Sequence, residues 1–122
     1  MGNQKDLWDD SIEVNPTCVR IPVFYGHSEA VHVETKEKIS SDKVTELLTA
    51  AEGIEVIDER NDGGYPTAVT DASGKNPTYV GRIREDISHP KGINMWVVAD
   101  NVRKGAATNS VQIAEVLIKD YL

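Results

Sequence analysis

The sequence predicts an α+β fold, a mixed and largely antiparallel sheet with helices on one face. Val and Ile together number 24 against five Leu, and β-branched side chains fit a pleated sheet better than a helix interior. Alternating apolar segments and segments with helical spacing follow one another in irregular order, as in α+β proteins. A length of 122 residues is that of one domain, so we expect a single domain over 1–122.

The composition speaks against several classes of protein. The chain has 13 Lys+Arg against 20 Asp+Glu, a net charge of -7, which disfavours binding to a nucleic-acid backbone. No apolar run approaches the ~20 residues of a membrane span, and no secretory signal opens the chain. The single cysteine, Cys18, has no second cysteine with which to form a disulfide or a metal pair. We expect a cytoplasmic protein without nucleic-acid, membrane or metal partners.

Period-2 alternation in the first third of the chain predicts two strands. Residues 17–25 alternate apolar and other side chains, although Pro22 cannot donate a ladder hydrogen bond and marks an edge or a bulge. Residues 26–28 are polar and read as a short turn. Alternation then resumes over 30–35.

Capping residues and helical spacing predict the first helix. Ser40 and Ser41 are N-cap residues, and apolar side chains follow at helical intervals until Gly53 offers a stop. Residues 54–57 then read as a short strand. Residues 59–77 are rich in turn residues and predict a long loop of the kind that often contacts a ligand or partner.

Two strands and a helix are predicted in the last third of the chain. The strands cover 79–87 and 93–99 and are joined by a turn at 89–92. The second is the most apolar segment, so we place it at the centre of the sheet. An amphipathic helix begins near 103–106 and runs to the C-terminus.

Arg20 and His27 are the first candidates for chemistry. The guanidinium of an arginine matches a carboxylate with two parallel hydrogen bonds. Histidine can accept and donate a proton near neutral pH, and Gly26 before His27 keeps the imidazole accessible. On spacing alone, a surface arginine and a turn histidine remain the alternative interpretation.

Other polar residues have weaker claims. His32 and Glu34 share a strand face, but two residues of one strand do not make a metal site. Arg82 and Arg84 project together and predict an anion patch, a subunit contact or a solvent-facing stripe. Cys18, within a predicted strand, is expected to be buried and inert. Residues 100–109 lead from a strand into a helix and could receive an anion or a cofactor amide, with ordinary helix capping as the alternative.

Four segments of the chain carry a family resemblance. They are 15–35 (NPTCVRIPVFYGHSEAVHVET), 65–67 (YPT), 80–84 (VGRIR) and 100–115 (DNVRKGAATNSVQIAE). In this order they resemble the C-terminal substrate-binding and dimerisation domain of aspartate-semialdehyde dehydrogenases. The resemblance implies a fold like the C-terminal domain of glyceraldehyde-3-phosphate dehydrogenase and a homodimer. It also implies NADPH-dependent reductive dephosphorylation of a small-molecule substrate, L-aspartyl 4-phosphate, to L-aspartate 4-semialdehyde, a step of amino-acid biosynthesis.

The resemblance also implies roles for individual residues. His27 matches the acid/base histidine of the family, and Arg20 matches the arginine that clamps the substrate carboxylate. Lys5 matches the lysine that contacts the phosphate, although the glutamate of the pattern Glu-x-x-Lys falls on Gly2 here. Asn101 falls where the family contacts the nicotinamide cofactor. No metal ligand is implied.

The 122 residues lack the family's dinucleotide-binding fold and the segment with its nucleophilic cysteine. The start at Met1 reads as a truncation into the C-terminal domain, and we expect the chain to be inactive alone, with weak or no NADP binding. The alternative is a non-catalytic dimerisation or interaction module. An enzyme built on Cys18 is a third, more remote alternative.

Overall fold

A four-stranded sheet organises the residues that the structure describes, 11–122 of this computed structural model. The strands are β1 (His27–Glu34), β2 (Ile54–Val56), β3 (Thr78–Glu85) and β4 (Gly92–Ala99). The two helices are α1 (Ser41–Ala50) and α2 (Thr108–Asp120). Two short helical turns of the wide π type, Ala68–Ala72 and Arg103–Ala107, precede β3 and α2 respectively.

The sheet is mixed, with the strand order β1-β4-β3-β2. Strand β4 pairs antiparallel with both β1 and β3, whereas the short edge strand β2 runs parallel to β3. The most apolar segment of the chain therefore lies at the centre, as predicted, because it is hydrogen-bonded along both edges. The predicted α+β class with a largely antiparallel mixed sheet is confirmed.

Each face of the sheet carries its own apolar cluster. Tyr79 and Val80 are neighbours on β3 and point to opposite faces. The cluster around Val80 packs against helix α1 and contains Ile83 and Ile93, with Val44 and Leu48 of α1 beside them. The cluster around Tyr79 packs against the first helical turn and contains Ala68, Ala72 and Val98. Helix α1 thus covers one face, and the helical turn at Ala68–Ala72 covers part of the other.

Helix α1 begins where its capping residue predicts. Ser40 has extended backbone angles (φ -82°, ψ 154°), and its side-chain oxygen accepts a hydrogen bond from the Lys43 amide at 3.2 Å. This bond satisfies one of the amides that a helix start leaves unpaired. Gly53 follows the helix with a φ of +76° and turns the chain into β2.

The predicted strand over 17–25 is wrong. These residues have no regular secondary structure and are largely exposed, including Val19 at 83% and Phe24 at 100%. Alternation alone does not form a strand, because a strand needs a partner, and β1 uses the free edge of β4 for residues 27–34. Cys18 is therefore exposed and not buried as expected.

Helix α2 confirms the predicted C-terminal helix and leaves its apolar side chains in solvent. Val111, Leu117 and Ile118 are 57%, 48% and 67% exposed, and no residue of the helix is buried. The helix packs mainly on the turn that precedes it. Within residues 11–122, no helix has the length and apolar character that crossing a bilayer requires.

Candidate functional site

His27 stands at one end of the sheet, where β1 begins and β4 ends. It pairs with Ala99, the last residue of β4, and its side chain is exposed. The turn predicted over 26–28 is shorter than expected, since His27 and Ser28 already belong to β1. The imidazole therefore projects into solvent from a hydrogen-bonded backbone and not from a loose loop.

Gly26 makes the sharp bend that delivers the chain to His27. Its φ is +102°, a value that residues with a side chain rarely adopt. A Cβ atom at this position would lie 2.7 Å from the Cβ of Ala68 and 3.5 Å from the carbonyl oxygen of Ala99. Both the backbone angle and the lack of space require glycine immediately before the candidate acid/base residue.

Asn101, which follows the end of β4, holds this bend with a hydrogen bond. Its Oδ1 accepts a hydrogen bond from the Gly26 amide at 2.8 Å, across 75 positions of sequence. The structure thus brings together His27 and Asn101, two of the residues that the sequence singles out. The Nδ2 group of Asn101 makes no hydrogen bond within the part of the chain that the structure describes, so it can donate to a bound group.

Asp100 anchors the segment that carries Asn101. Its side chain is buried, with 3% exposure, and its carboxylate accepts hydrogen bonds from the amides of Gly74 (2.7 Å), Val102 (2.9 Å) and Arg103 (3.3 Å). The hydrogen bond from Gly74 and those from the other two amides hold the pKa of Asp100 below its usual range, against the opposing effect of burial. The carboxylate therefore stays charged and locks the chain where β4 ends.

Two other predicted site residues are not joined to this corner. Arg20 is exposed in the irregular segment before Gly26, and its side chain forms no hydrogen bond or ion pair with the described residues. Lys5 lies outside the described residues. The structure therefore brings His27 and Asn101 together but does not link Arg20 to them.

The polar residues of the opposite end of β1 form an ion-pair network. His32 lies 3.2 Å from Asp86 through Nδ1 and 3.5 Å from Glu34 through Nε2, and His89 lies 3.8 Å from Glu34. Hydrogen bonds from the amide and hydroxyl of Ser88 lower the pKa of Asp86 to about 2. Within residues 11–122, no group of three or more His, Cys, Asp or Glu side chains has a geometry that could hold a metal ion.

Sequence reasoning expected a tight backbone at Gly26 but missed its close contact with Ala68, and it missed the anchoring role of Asp100. Both lay within segments that it singled out, but their partners are distant in sequence: Ala68 for Gly26 and Gly74 for Asp100. A signal was present, because an aspartate directly after a buried strand commonly accepts hydrogen bonds from the amides of a following turn.

The sequence profile of a known family matches most of the chain. The family is described as semialdehyde dehydrogenase, dimerisation domain, and the match covers residues 2–104. This chain belongs to that family. The matched segment includes the whole sheet, His27 and Asn101, whereas helix α2 lies beyond it.

Full-length relatives extend the match through helix α2. The aspartate-semialdehyde dehydrogenase of Shewanella violacea is 60% identical to this dimerisation domain over 118 residues, which is 97% of the chain and 34% of that protein. The chain therefore spans about a third of the length of such relatives. The resemblance to aspartate-semialdehyde dehydrogenases that the sequence motifs predict is confirmed.

Solved structures share the fold. A crystal structure of aspartate semialdehyde dehydrogenase II from Vibrio cholerae, complexed with ASA, superposes with a TM-score of 0.87 at 60% identity and covers 98% of this chain and 34% of that one. The structure of a probable aspartate-semialdehyde dehydrogenase from Pseudomonas aeruginosa gives a TM-score of 0.71 at 48% identity, covering 83% of this chain and 29% of that one. The dimerisation domain keeps its fold across these relatives.

Proposed function

We propose that this chain is the C-terminal substrate-binding and dimerisation domain of an aspartate-semialdehyde dehydrogenase. The proposed reaction is the NADPH-dependent reductive dephosphorylation of L-aspartyl 4-phosphate to L-aspartate 4-semialdehyde, a cytoplasmic step of amino-acid biosynthesis. One observation supports the proposal most strongly: in a member of this family, the exposed His27 is held at the start of β1 by the bond between Gly26 and Asn101.

His27 is the general acid/base of this proposal. The reaction needs a group that gives a proton to the reacting oxygen when the acyl carbon is reduced and takes it back when the aldehyde forms, and histidine does both near neutral pH. A rigid position matters because the imidazole must stay within hydrogen-bond reach of that oxygen. Two features supply this rigidity. The bend at Gly26 is held by Asn101, and His27 itself pairs with Ala99 of β4.

Arg20 and Lys5 are the proposed substrate-binding residues. The Arg20 guanidinium would hold the α-carboxylate of the amino-acid substrate with two parallel hydrogen bonds, which orient the substrate without taking part in bond making. Arg20 suits this role because its side chain is not engaged by any described residue. Lys5 would contact the phosphate as a point charge.

Asn101 fits a role in binding NADP. Its Oδ1 is engaged by Gly26, so its free Nδ2 group is a donor for a carbonyl such as that of a carboxamide. NADPH supplies the hydride of the proposed reaction when it is bound. Asn101 would hold the cofactor with Nδ2, while its Oδ1 holds the bend before His27.

A domain replacement tests the proposal. We would exchange the matching third of the Vibrio cholerae enzyme, 60% identical, for this chain and assay NADP-dependent oxidation of aspartate semialdehyde in phosphate. We expect activity within about tenfold of the parent enzyme, and no turnover by the 122-residue chain alone. A folded replacement enzyme without activity would contradict the proposal. Turnover by the chain alone would assign the nucleophile to Cys18 and contradict it as well.

The second candidate function is a non-catalytic dimerisation module. The family description as a dimerisation domain and the exposed apolar side chains of α2 favour self-association. Light scattering of the purified chain at two concentrations tests this function. A mass of twice 13.4 kDa at both would support a homodimer, whereas a monomer at high concentration would exclude the module.

A further inference from the structure

A cleft of about 240 Å³ opens beside β3, away from the end of the sheet that carries His27. Its walls include three arginines, Arg60, Arg82 and Arg84, the two acidic residues Asp58 and Glu59, and Tyr65. The chain has only five arginines, and three of them meet here. Three guanidinium groups so close together in a protein with a net charge of -7 indicate a local site for negative charge.

Arg82 occupies a backbone position that favours glycine. On β3, Arg82 and Ile83 together face the single residue Met95 of β4, which makes a β-bulge. Arg82 has a φ of +52° and is the one residue other than glycine with a positive φ among residues 11–122. A strained residue at a bulge often re-aims a side chain toward a ligand. Here the bulge sends the Arg82 side chain toward the cleft.

Asp58 holds the bulge in place. Its Oδ1 accepts a hydrogen bond from the Arg82 amide at 2.8 Å, and its Oδ2 accepts one from the Ile83 amide at 3.1 Å. The Nη2 group of Arg60 donates to the same carboxylate at 3.2 Å and to the Ile83 carbonyl at 2.9 Å. Asp58 is ion-paired with Arg60, and Glu59 accepts a hydrogen bond from Asn61 Nδ2 at 2.9 Å. The three arginines of the cleft therefore exceed its two carboxylates by one positive charge.

The guanidinium groups of Arg82 and Arg84 are held in place, but most of their N–H donors have no acceptor among the described residues. Arg82 lies over the Tyr65 ring at 5.5 Å from its centroid, a contact that orients the group and uses none of its N–H donors. Arg84 donates one bond, from Nη1 to the Arg82 carbonyl at 2.8 Å. Arg82 itself donates no side-chain hydrogen bond within the described residues. Several charged donors therefore face the cleft.

We infer that this arginine cleft binds a small oxyanion, a phosphate or a carboxylate. Arginines present paired N–H donors that match the oxygens of both groups, and the cleft has more than enough room for either group. The bulge, the carboxylate of Asp58 and the Tyr65 ring arrange the donors in advance, which lowers the entropic cost of binding. This site is independent of the roles proposed for His27 and Asn101.

Titration with inorganic phosphate tests the inference. Amide spectra of the ¹⁵N-labelled chain would be followed as phosphate is added, with sodium chloride keeping the ionic strength constant so that screening does not change. We expect saturable shifts at Tyr65, Arg82 and Arg84, with a Kd on the order of 1 mM. Shifts that do not saturate, or that sodium chloride alone reproduces, would overturn the inference.

Two variants locate the binding. Arg82→Gly removes the guanidinium but suits the left-handed backbone, so the fold should survive, and we expect phosphate affinity to fall roughly tenfold or more. Arg84→Gln is the second variant, should the first unfold. Arg103→Gln removes an exposed arginine that is bonded to Asn76, and its phosphate affinity should match wild type. Equal phosphate affinity of Arg82→Gly and wild type would overturn the inference.

The inferred occupant is a free ion and not an acidic side chain of a second copy of the chain. Light scattering of wild type and Arg84→Gln separates these sources. An unchanged mass together with weakened phosphate binding supports a free small anion. A shift of Arg84→Gln from dimer to monomer, with no saturable phosphate binding by wild type, would assign the cleft to a subunit contact and overturn the inference.

Discussion

Gly26 and Asp100 fix the backbone around His27 through properties of single residues. Gly26 is needed because of its φ of +102° and the nearby Ala68. Asp100 is needed because its buried carboxylate accepts three backbone hydrogen bonds, which a neutral side chain of the same shape cannot all accept. Neither residue carries chemistry in the proposed reaction, yet both determine where His27 and Asn101 lie.

Gly26→Ala should destabilise the fold more than Gly74→Ala. Both glycines have a positive φ, but a Cβ at Gly74 meets nothing within 4 Å, so this matched control carries only the backbone cost of about 1 kcal/mol. Gly26→Ala adds the clash with Ala68, and we expect a total loss of about 3 kcal/mol in the free energy of unfolding. Urea denaturation measures both. Equal losses would show that the close approach to Ala68 costs nothing.

Asp100→Asn should remove a stabilising effect that depends on pH. Because the pKa of Asp100 is lowered in the folded state, its contribution is complete above the unfolded pKa of about 3.9 and is lost as the pH falls through the folded value. We expect Asp100→Asn to cost about 2 kcal/mol at pH 7 and less at pH 3. Urea denaturation at the two pH values checks this. The exposed Asp62→Asn is the control, and an Asp100→Asn cost that does not shrink at pH 3 would contradict the prediction.

Elements whose signals are local could be predicted, and those that need a distant partner could not. The cap at Ser40 and the spacing of Val44 and Leu48 suffice for helix α1, since a helix satisfies its own backbone. The alternation over 17–25 resembles that of 30–35, but only residues from His27 onward find a free edge of β4. The candidate site divides in the same way: the resemblance predicts roles for His27 and Asn101, whereas their link through Gly26 spans 75 positions and could not be predicted.

Asn101→Ala should loosen the joint between the end of β4 and the start of β1. The substitution leaves the partly buried Gly26 amide without its acceptor, and we expect a loss of about 1–2 kcal/mol in the free energy of unfolding. Asn76→Ala is the control, because it removes only the exposed bond to Arg103 and should cost less than about 0.5 kcal/mol. Urea denaturation compares the two. A cost for Asn101→Ala as small as that of the control would mean that this bond does not hold the bend.

The molecule as a whole is a sheet that presents its proposed chemistry at one end. Helix α1 covers one face of the sheet and the Ala68–Ala72 turn covers part of the other, while the apolar side of α2 remains in solvent. The chain matches about a third of its relatives' length. In the proposed function, this domain contributes His27, Arg20, Lys5 and Asn101 to the reaction.

The role of His27 is measured most directly by kcat of the domain-replaced Vibrio cholerae enzyme, compared between His27 and its Gln variant. His27→Gln should lower kcat by roughly 100-fold or more, the usual contribution of a general acid/base, while the melting temperature stays unchanged. His32→Gln, on the same strand but in the ion-pair network with Asp86, is the matched control and should keep kcat within about twofold. If the His27→Gln enzyme turned over as fast as the His32→Gln enzyme, His27 would not be the acid/base residue and the proposed function would be contradicted.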